Sequence, residues 1–194
     1  MARPKEFDER AAVGRATDAF WARGYEGTST QALCEATGLG RSSIYNTFTS
    51  KHALFMRALD HYAERGITAR TALLEESGTG VERFRALFAY TIDEEVEHPG
   101  RGCLVVNTVA EFGERDPEVK ARIDADTRRH IALLSACAKE GQLDGTIDGG
   151  REPGAVAEFA HSTVAGLRLM SRRGAGRAAM EAVAAIAVDA IAAK

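Results

Sequence analysis

The stretch Thr28–Leu54, TSTQALCEATGLGRSSIYNTFTSKHAL, decides the fold of this 194-residue chain. Apolar residues recur in it at helical spacing in two short runs. Between the runs, Thr37-Gly38 can end one helix, because glycine tolerates the left-handed backbone of a helix stop, and Gly40 can begin the next. Two short helices joined by such a turn are typical of a helix-turn-helix. The apolar positions that would form its core are Leu33, Ala36, Leu39, Ile44 and Phe48.

The second short helix is expected to run from about Arg41 to Phe48 and to present a polar outer face. Once Ile44 and Phe48 turn inward, the other side chains are donor-rich and include no carboxylate. Such a face suits the major groove of DNA, where arginine pairs with guanine and asparagine with adenine. The predicted outer face consists of Arg41, Ser42, Ser43, Tyr45, Asn46 and Thr47.

Composition favours a soluble all-α protein but says little about nucleic acid. The chain is 45% apolar, has four prolines and shows no alternating runs typical of strands. Its formal net charge is −3, and residues 1–51 carry seven Lys/Arg against six Asp/Glu. A DNA-binding domain usually has a clearer basic surface. The inference of DNA binding therefore depends on the motif, although Arg3, Lys5, Arg41 and Lys51 could line one face.

Residues 7–55 resemble the DNA-binding domain of TetR-family transcriptional regulators, and beyond them only length and helix pattern agree. The resemblance implies an all-α fold of about nine helices. It places a three-helix helix-turn-helix domain in residues 1–48 and a helical ligand-binding and dimerisation domain in residues 49–194. Gly40 and His52 depart from the family pattern, which often has Ser or Thr and Glu there. The matching residues are Gly24-Tyr25, Thr28, Thr30, Leu33, Ala36, Gly38-Leu39, Ile44-Tyr45, Phe48, Ser50-Lys51 and Leu54.

The resemblance also implies which residues touch DNA. Tyr45 and Lys51 are candidates for phosphate contacts, since Lys51 lies in the first turn of a helix opened by Ser50, where free N–H groups attract anions. Otherwise these are ordinary surface residues. The further candidates are Thr28 and Thr30 for phosphates, and Arg41, Ser43 and Asn46 for bases or phosphates.

The last two predicted helices, 153–171 and 177–193, have two interpretations. In TetR-like proteins such a pair forms a four-helix bundle with its symmetry mate, and a two-fold operator requires a two-fold protein. We therefore expect a homodimer. The alternative is that both helices only complete the core of the monomer.

An effector pocket is expected among the helices that start at Ser50, Val81, Leu104 and Pro117. Its predicted lining is mostly apolar with few polar anchors, which suits a small hydrophobic or reactive molecule. The predicted lining residues are Phe84, Phe88, Cys103, Asn107, Glu111 and Phe112.

Cys103 has two interpretations. It comes just before the apolar Leu104-Val105-Val106, which predicts a place in the first turn of a helix beside an arginine, and both features favour the thiolate that electrophiles and oxidants attack. Free cysteine is also among the most buried residue types, so Cys103 could equally be a packing residue. Cys34 and Cys137, inside helices with apolar neighbours, are expected to pack.

The sequence gives little support for a metal site or for enzyme activity. Asp126 and His130 are four residues apart on one helix, but two ligands do not make a metal site, and we expect no metal or cofactor. No catalytic motif is present, and an enzyme using Cys103 would lack an identifiable base. Three cysteines, an odd number, without a secretion signal or an apolar span predict a cytoplasmic protein not inserted in membranes.

The sequence thus predicts a TetR-like repressor that binds a palindromic double-stranded operator as a homodimer and is released by a small-molecule effector. The alternative is a helical small-molecule-binding protein without specific DNA binding.

Overall fold

The computed structural model describes residues 7–194, which form nine α-helices, as the sequence predicts. The only β-type contact within that range is an isolated bridge between Ile147 and Ala192. The helices are α1 (Glu9–Arg23), α2 (Thr30–Thr37), α3 (Arg41–Phe48), α4 (Lys51–Leu74), α5 (Gly80–Glu97), α6 (Leu104–Phe112), α7 (Pro117–Leu143), α8 (Pro153–Arg172) and α9 (Arg177–Ile191).

Local capping chemistry sets most of these helix boundaries. The side chains of Asp8, Ser29 and Ser50 each accept a hydrogen bond from the backbone N–H three residues further on. Asp116 caps α7 just before its first-turn proline. Gly38 ends α2 in the left-handed conformation, with φ of 71°.

Two hydrophobic clusters hold the helices together. The first, the N-terminal cluster, joins α1, α2, α3 and the first half of α4, and it extends to Leu104, Val119 and Ile123 of α6 and α7. The second, the C-terminal cluster, joins the end of α4 with α5, α7, α8 and α9. The N-terminal core therefore continues across residue 48 into the following helices.

Helix α6 differs from its expected environment. Its apolar sequence suggests burial on most sides, but only Leu104 and Thr108 are buried and Val109 is 49% exposed. That expectation was wrong, because α6 packs against α4 and α7 with one side and leaves its other side exposed. No helix in residues 7–194 is both long and apolar enough to cross a bilayer.

Candidate DNA interface and ligand cavity

Helix α3 presents the polar face that the sequence predicts. Ile44 and Phe48 are buried in the N-terminal cluster together with Leu33 of α2, and this packing fixes which side of α3 faces outward. Of the six contact residues predicted on α3, four are exposed and two are half-buried. The exposed four are Arg41, Ser42, Tyr45 and Asn46, and the half-buried two are Ser43 and Thr47.

Tyr45 connects the outer faces of α2 and α3. Its hydroxyl lies 3.5 Å from Oγ1 of Thr30, and the guanidinium of Arg41 lies 5.8 Å from the centre of its ring. The hydrogen bond with Thr30, followed by the interaction with Arg41, lowers the pKa of Tyr45. Three of the predicted DNA contacts therefore form one continuous patch.

Lys51 is the first residue of α4. Its Nζ is 4.2 Å from the ring centre of Tyr25, which holds the ammonium group by a cation–π contact. The preceding turn is strained, because Thr49 is a β-branched residue with φ of 63°. The turn places the first-turn N–H groups of α4 near the end of α3.

Thr28 does not belong to the patch. Its side chain is fully buried, and its hydroxyl donates to the carbonyl of Gly24 over 2.6 Å. The structure contradicts Thr28 as a phosphate contact, because the hydroxyl closes the turn before α2. Arg3 and Lys5 lie outside the described residues.

A cavity of about 110 Å³ lies between α4, α6, α7 and α8. Most of its wall is apolar, from leucine, isoleucine and valine side chains. The polar or ionisable side chains in the wall are Tyr62, Arg70, Cys103, Asp126, Thr127, His130, His161 and Arg168.

Two arginines from different helices dominate the polar part of the wall. Arg70 of α4 donates to His130 over 3.1 Å, and burial lowers the pKa of His130 to about 3. Arg168 of α8 donates to the hydroxyl of Tyr62 over 3.3 Å and to Glu94 over 2.9 Å. Burial raises the pKa of Tyr62, so its phenol is neutral at physiological pH.

Of the six residues predicted to line a pocket, only Cys103 lies in this wall. Phe84 and Phe88 are buried in the C-terminal cluster, because the inward side of α5 faces α8 and α9. The amide of Asn107 donates to the carbonyl of Arg101, and Phe112 stacks on Phe55. These placements correct the predicted lining; the sixth residue, Glu111, has a different role described below.

Family comparison agrees with this architecture. Residues 13–58 match the family of bacterial regulatory proteins named tetR, and residues 80–187 match the tetracyclin repressor-like C-terminal domain. The chain belongs to the TetR family. The resemblance predicted from residues 7–55 is confirmed, and so is the predicted class of function, a ligand-responsive DNA-binding transcription regulator.

Several known TetR-family proteins resemble the chain over most of its length. It is 32% identical over 152 residues to the uncharacterised HTH-type regulator YezE of Bacillus subtilis (strain 168), covering 75% of this chain and 77% of YezE. It is 29% identical over 175 residues to the repressor ComR of Escherichia coli (strain K12), covering 89% and 83%. A structure of a cysteine mutant of the regulator CifR with 26-bp operator DNA superposes with a TM-score of 0.85 at 31% identity, covering 98% of this chain and 100% of that one.

Glu111, which the sequence predicted as a ligand contact, instead joins α6 to the N-terminal part of this TetR-family chain. Glu111 of α6 accepts hydrogen bonds from the backbone N–H groups of Tyr25 and Glu26 over 2.8 and 2.6 Å. Its carboxylate lies against Gly24, where φ is 72° and a Cβ would come within 2.8 Å. Glu111 therefore connects α6 to the loop before α2, so its prediction as a ligand contact was wrong.

Sequence reasoning missed the cavity residues Arg70, His130 and Arg168. Arg168 carries a detectable signal, because it is the one charged residue on the buried face of α8. Gly66 carries another, since a glycine inside a helix costs about 1 kcal/mol and here makes room for the guanidinium of Arg70.

Proposed function

We propose that this TetR-family chain is a homodimeric repressor of a palindromic operator, released when a small molecule enters the cavity. Residues 1–48 would supply the DNA-binding domain and residues 49–194 the effector and dimer functions, in the cytoplasm. The observation that carries the proposal is the outward polar face of α3, which the Tyr45–Thr30 hydrogen bond joins to α2.

The operator contacts would divide between bases and phosphates. Arg41, Ser43 and Asn46 would contact base edges in the major groove, where Arg and Asn side chains can discriminate bases. Thr30, Tyr45 and Lys51 would contact phosphates at its rim, and these contacts position the helix without reading sequence. Ser42 and Thr47, also on this face, would complete the contact surface.

Two exposed stripes on α8 and α9 support the homodimer. Each stripe repeats at alternating spacings of four and three residues, which is the spacing of helix-bundle interfaces. Phe159 is 42% exposed, Leu169 61% and Ile186 70%, which is unusual for apolar residues of this size on adjacent helices. The stripes are Ala155, Phe159, Ser162, Gly166 and Leu169 on α8, and Ala179, Val183, Ile186 and Ala190 on α9.

The position of the cavity supports release by a ligand. Tyr62 and Ala63 of α4 line it, and α4 continues from the turn that follows α3. A ligand that displaces α4 would change the spacing between the recognition helices of the two subunits. Half-sites lie about one helical turn apart, so a shift of a few Å would prevent both helices from docking together.

Cys103 supports a second class of effector, an electrophile or oxidant. Its thiol lies in the cavity wall near the hydroxyl of Tyr62. Structures of relatives have been solved for cysteine mutants of CifR and for the reduced form of NemR from E. coli, the latter 23% identical with a TM-score of 0.84. Those observations concern other proteins. Here the thiol is 8% exposed, which also agrees with a packing role.

Footprinting of the purified protein on DNA flanking its own gene tests the proposal. We expect a protected palindrome of two half-sites, with affinity that falls steeply as salt rises. Uniform weak binding along the DNA would instead favour a small-molecule-binding protein without specific DNA binding. The near-neutral charge of residues 1–51, seven Lys/Arg against six Asp/Glu, supports that alternative.

A further inference from the structure

The guanidinium of Arg70 is a half-buried positive charge in the wall of the cavity. It folds back over Gly66 and hydrogen-bonds to Nε2 of His130 over 3.1 Å. That partner is uncharged near pH 7, because burial and then the charge of Arg70 lower the pKa of His130 to about 3. Within residues 7–194, Arg70 forms no ion pair with an aspartate or glutamate.

The nearby carboxylates of Glu94 and Asp126 already pair with other arginines. Glu94 pairs with Arg168 over 2.9 Å, and Asp126 accepts from Arg129 over 3.3 Å. Glu95 lies 3.9 Å from Arg168, but burial raises its pKa and favours its neutral form. Arg70 therefore has no carboxylate in direct contact, and Glu94 and Asp126 offset its charge only from a greater distance.

The two arginines also repel each other, and Arg168 retains an unused donor. Burial, followed by the charge of Arg168, lowers the pKa of Arg70. The Nε of the fully buried Arg168 has no hydrogen-bond partner among the described residues. A partly buried charge without a directly paired counter-charge is destabilising, and an anion in the cavity would offset part of that cost.

We propose, building on the regulator function above, that the cavity binds a small organic carboxylate with Arg70 as its counter-ion. A guanidinium offers a carboxylate two parallel hydrogen bonds, and Arg70 already lines the cavity wall. The apolar part of the ligand would lie against Val105, Ile123 and Leu134. The volume of about 110 Å³ approaches that of an engineered core cavity, about 150 Å³, which accepts benzene.

Calorimetric titration of the full chain with two matched pairs, benzoate against benzamide and hexanoate against hexanamide, tests this charge preference. Each pair has nearly the same shape and differs in charge. In at least one pair, wild-type protein should bind the carboxylate at least tenfold more tightly than the amide. Arg70→Gln should abolish that preference, whereas Arg70→Lys should keep it in weaker form. Arg65→Gln, an exposed arginine on the same helix, is the matched control and should leave it unchanged.

Thermal unfolding without added carboxylate gives a second readout. Arg70→Gln should melt at a higher temperature than wild type, because it removes a partly buried charge that no carboxylate contacts directly. Equal affinity within both pairs, or binding of none of the four compounds, overturns the proposal. Carboxylate binding to Arg70→Gln with wild-type affinity overturns it as well. If Arg70→Gln does not fold, an undiminished preference in Arg70→Lys decides against it.

Operator binding separates this proposal from the regulator function. If benzoate or hexanoate binds through Arg70 and also lowers operator affinity, both proposals stand. If the carboxylate binds through Arg70 but operator affinity does not change, the anion site stands and its role in release fails. If footprinting finds no operator, the regulator function fails while the titrations still decide the anion site.

Discussion

The indole Nε1 of Trp21 donates a hydrogen bond to the carbonyl oxygen of Gly102 over 2.7 Å. Gly102 directly precedes Cys103 in the cavity wall, and the indole also packs edge-on against Tyr62 at 5.4 Å between ring centres. Helix α1 is thus attached to the cavity wall at two points. A ligand that moves this wall would displace α1, which packs against α2 and the start of α4.

Replacing Trp21 with phenylalanine tests the first of these attachments. Trp21→Phe keeps an aromatic ring but leaves the Gly102 carbonyl without its donor, so we expect the free energy of unfolding to fall by about 1–3 kcal/mol. Urea denaturation measures the change. Tyr90→Phe, which removes a part-buried hydrogen bond to Glu94, is the control and should cost less. Equal losses in the two variants would show that the Trp21 hydrogen bond stabilises the fold no more than the Tyr90 hydrogen bond does.

Substitution of Lys51 tests the phosphate contact. Lys51→Ala should weaken binding to operator and random DNA alike, and the slope of log K against log[salt] should shrink by about 1.8 per dimer, or about 0.9 per contact. Fluorescence anisotropy over a salt series measures both quantities. Lys120→Ala, an exposed lysine paired with Asp124 on α7, should leave the slope unchanged. A wild-type slope in Lys51→Ala would remove this lysine from the interface.

A charge placed in the exposed stripe of α9 tests the dimer. Ile186→Glu should give soluble monomers, because a carboxylate buried in the proposed interface would cost several kcal/mol while the free helix tolerates it. Leu167 on α8 is unsuitable for this test, because it is fully buried inside the monomer and a charge there would only disrupt folding. Leu143→Glu, at an 88% exposed position on α7, is the control. Sedimentation of wild-type protein as a monomer at micromolar concentration contradicts the dimer.

His130 should make stability depend on pH. Its pKa is about 3 in the folded chain and about 6.5 when unfolded, so the unfolded chain binds the extra proton between these values. The stabilisation is present above pH 6.5 and is lost as the pH falls toward 3. From pH 7 to pH 5, wild type should lose about 2 kcal/mol more than His130→Gln.

Urea denaturation at both pH values measures the contribution of His130. The pKa values of His61 and His161 are also lowered by burial, so some loss should remain in the variant. Identical pH profiles for His130→Gln and wild type would exclude His130 as the source.

Alkylation ranks the three thiols. Cys137 should react slowest with iodoacetamide at neutral pH, because burial raises its pKa to about 11. If Cys103 is a sensor, alkylating the Cys34→Ser/Cys137→Ser variant should release operator DNA, since the added group would occupy the cavity. Mass spectrometry and a gel shift on the same sample measure both effects. Labelling of Cys103 without loss of DNA binding assigns it to packing.

The helices could be predicted because neighbouring residues determine where each helix begins and ends. Asp116-Pro117 and Ser50 carry their own start signals, and the structure places both helix starts at the residues that these signals indicate. The outer face of α3 was also predictable, since Ile44 and Phe48 alone determine which side turns inward. Each of these inferences needs only residues within one or two helical turns.

The cavity could not be predicted in the same way. Periodicity shows that Phe84 points inward, but not whether the inside is a packed core or a cavity wall. Arg70, His130 and Arg168 meet across separations of 60 and 98 positions along the chain, so their proximity depends on how α4, α7 and α8 pack. Glu111 was predicted to contact a ligand because the sequence does not reveal its actual partners. These are two backbone N–H groups in a loop 85 residues earlier.

The N-terminal cluster has a consequence for engineering. A chimera that carried only residues 1–48 onto another regulator would leave behind Leu54, Phe55 and Leu59, which belong to the same core as Phe20. The smallest transplantable unit therefore extends into α4 and needs compatible surfaces from α6 and α7. The exposed side chains of α3 contribute nothing to that core, so the proposed operator contacts could be exchanged without rebuilding the scaffold.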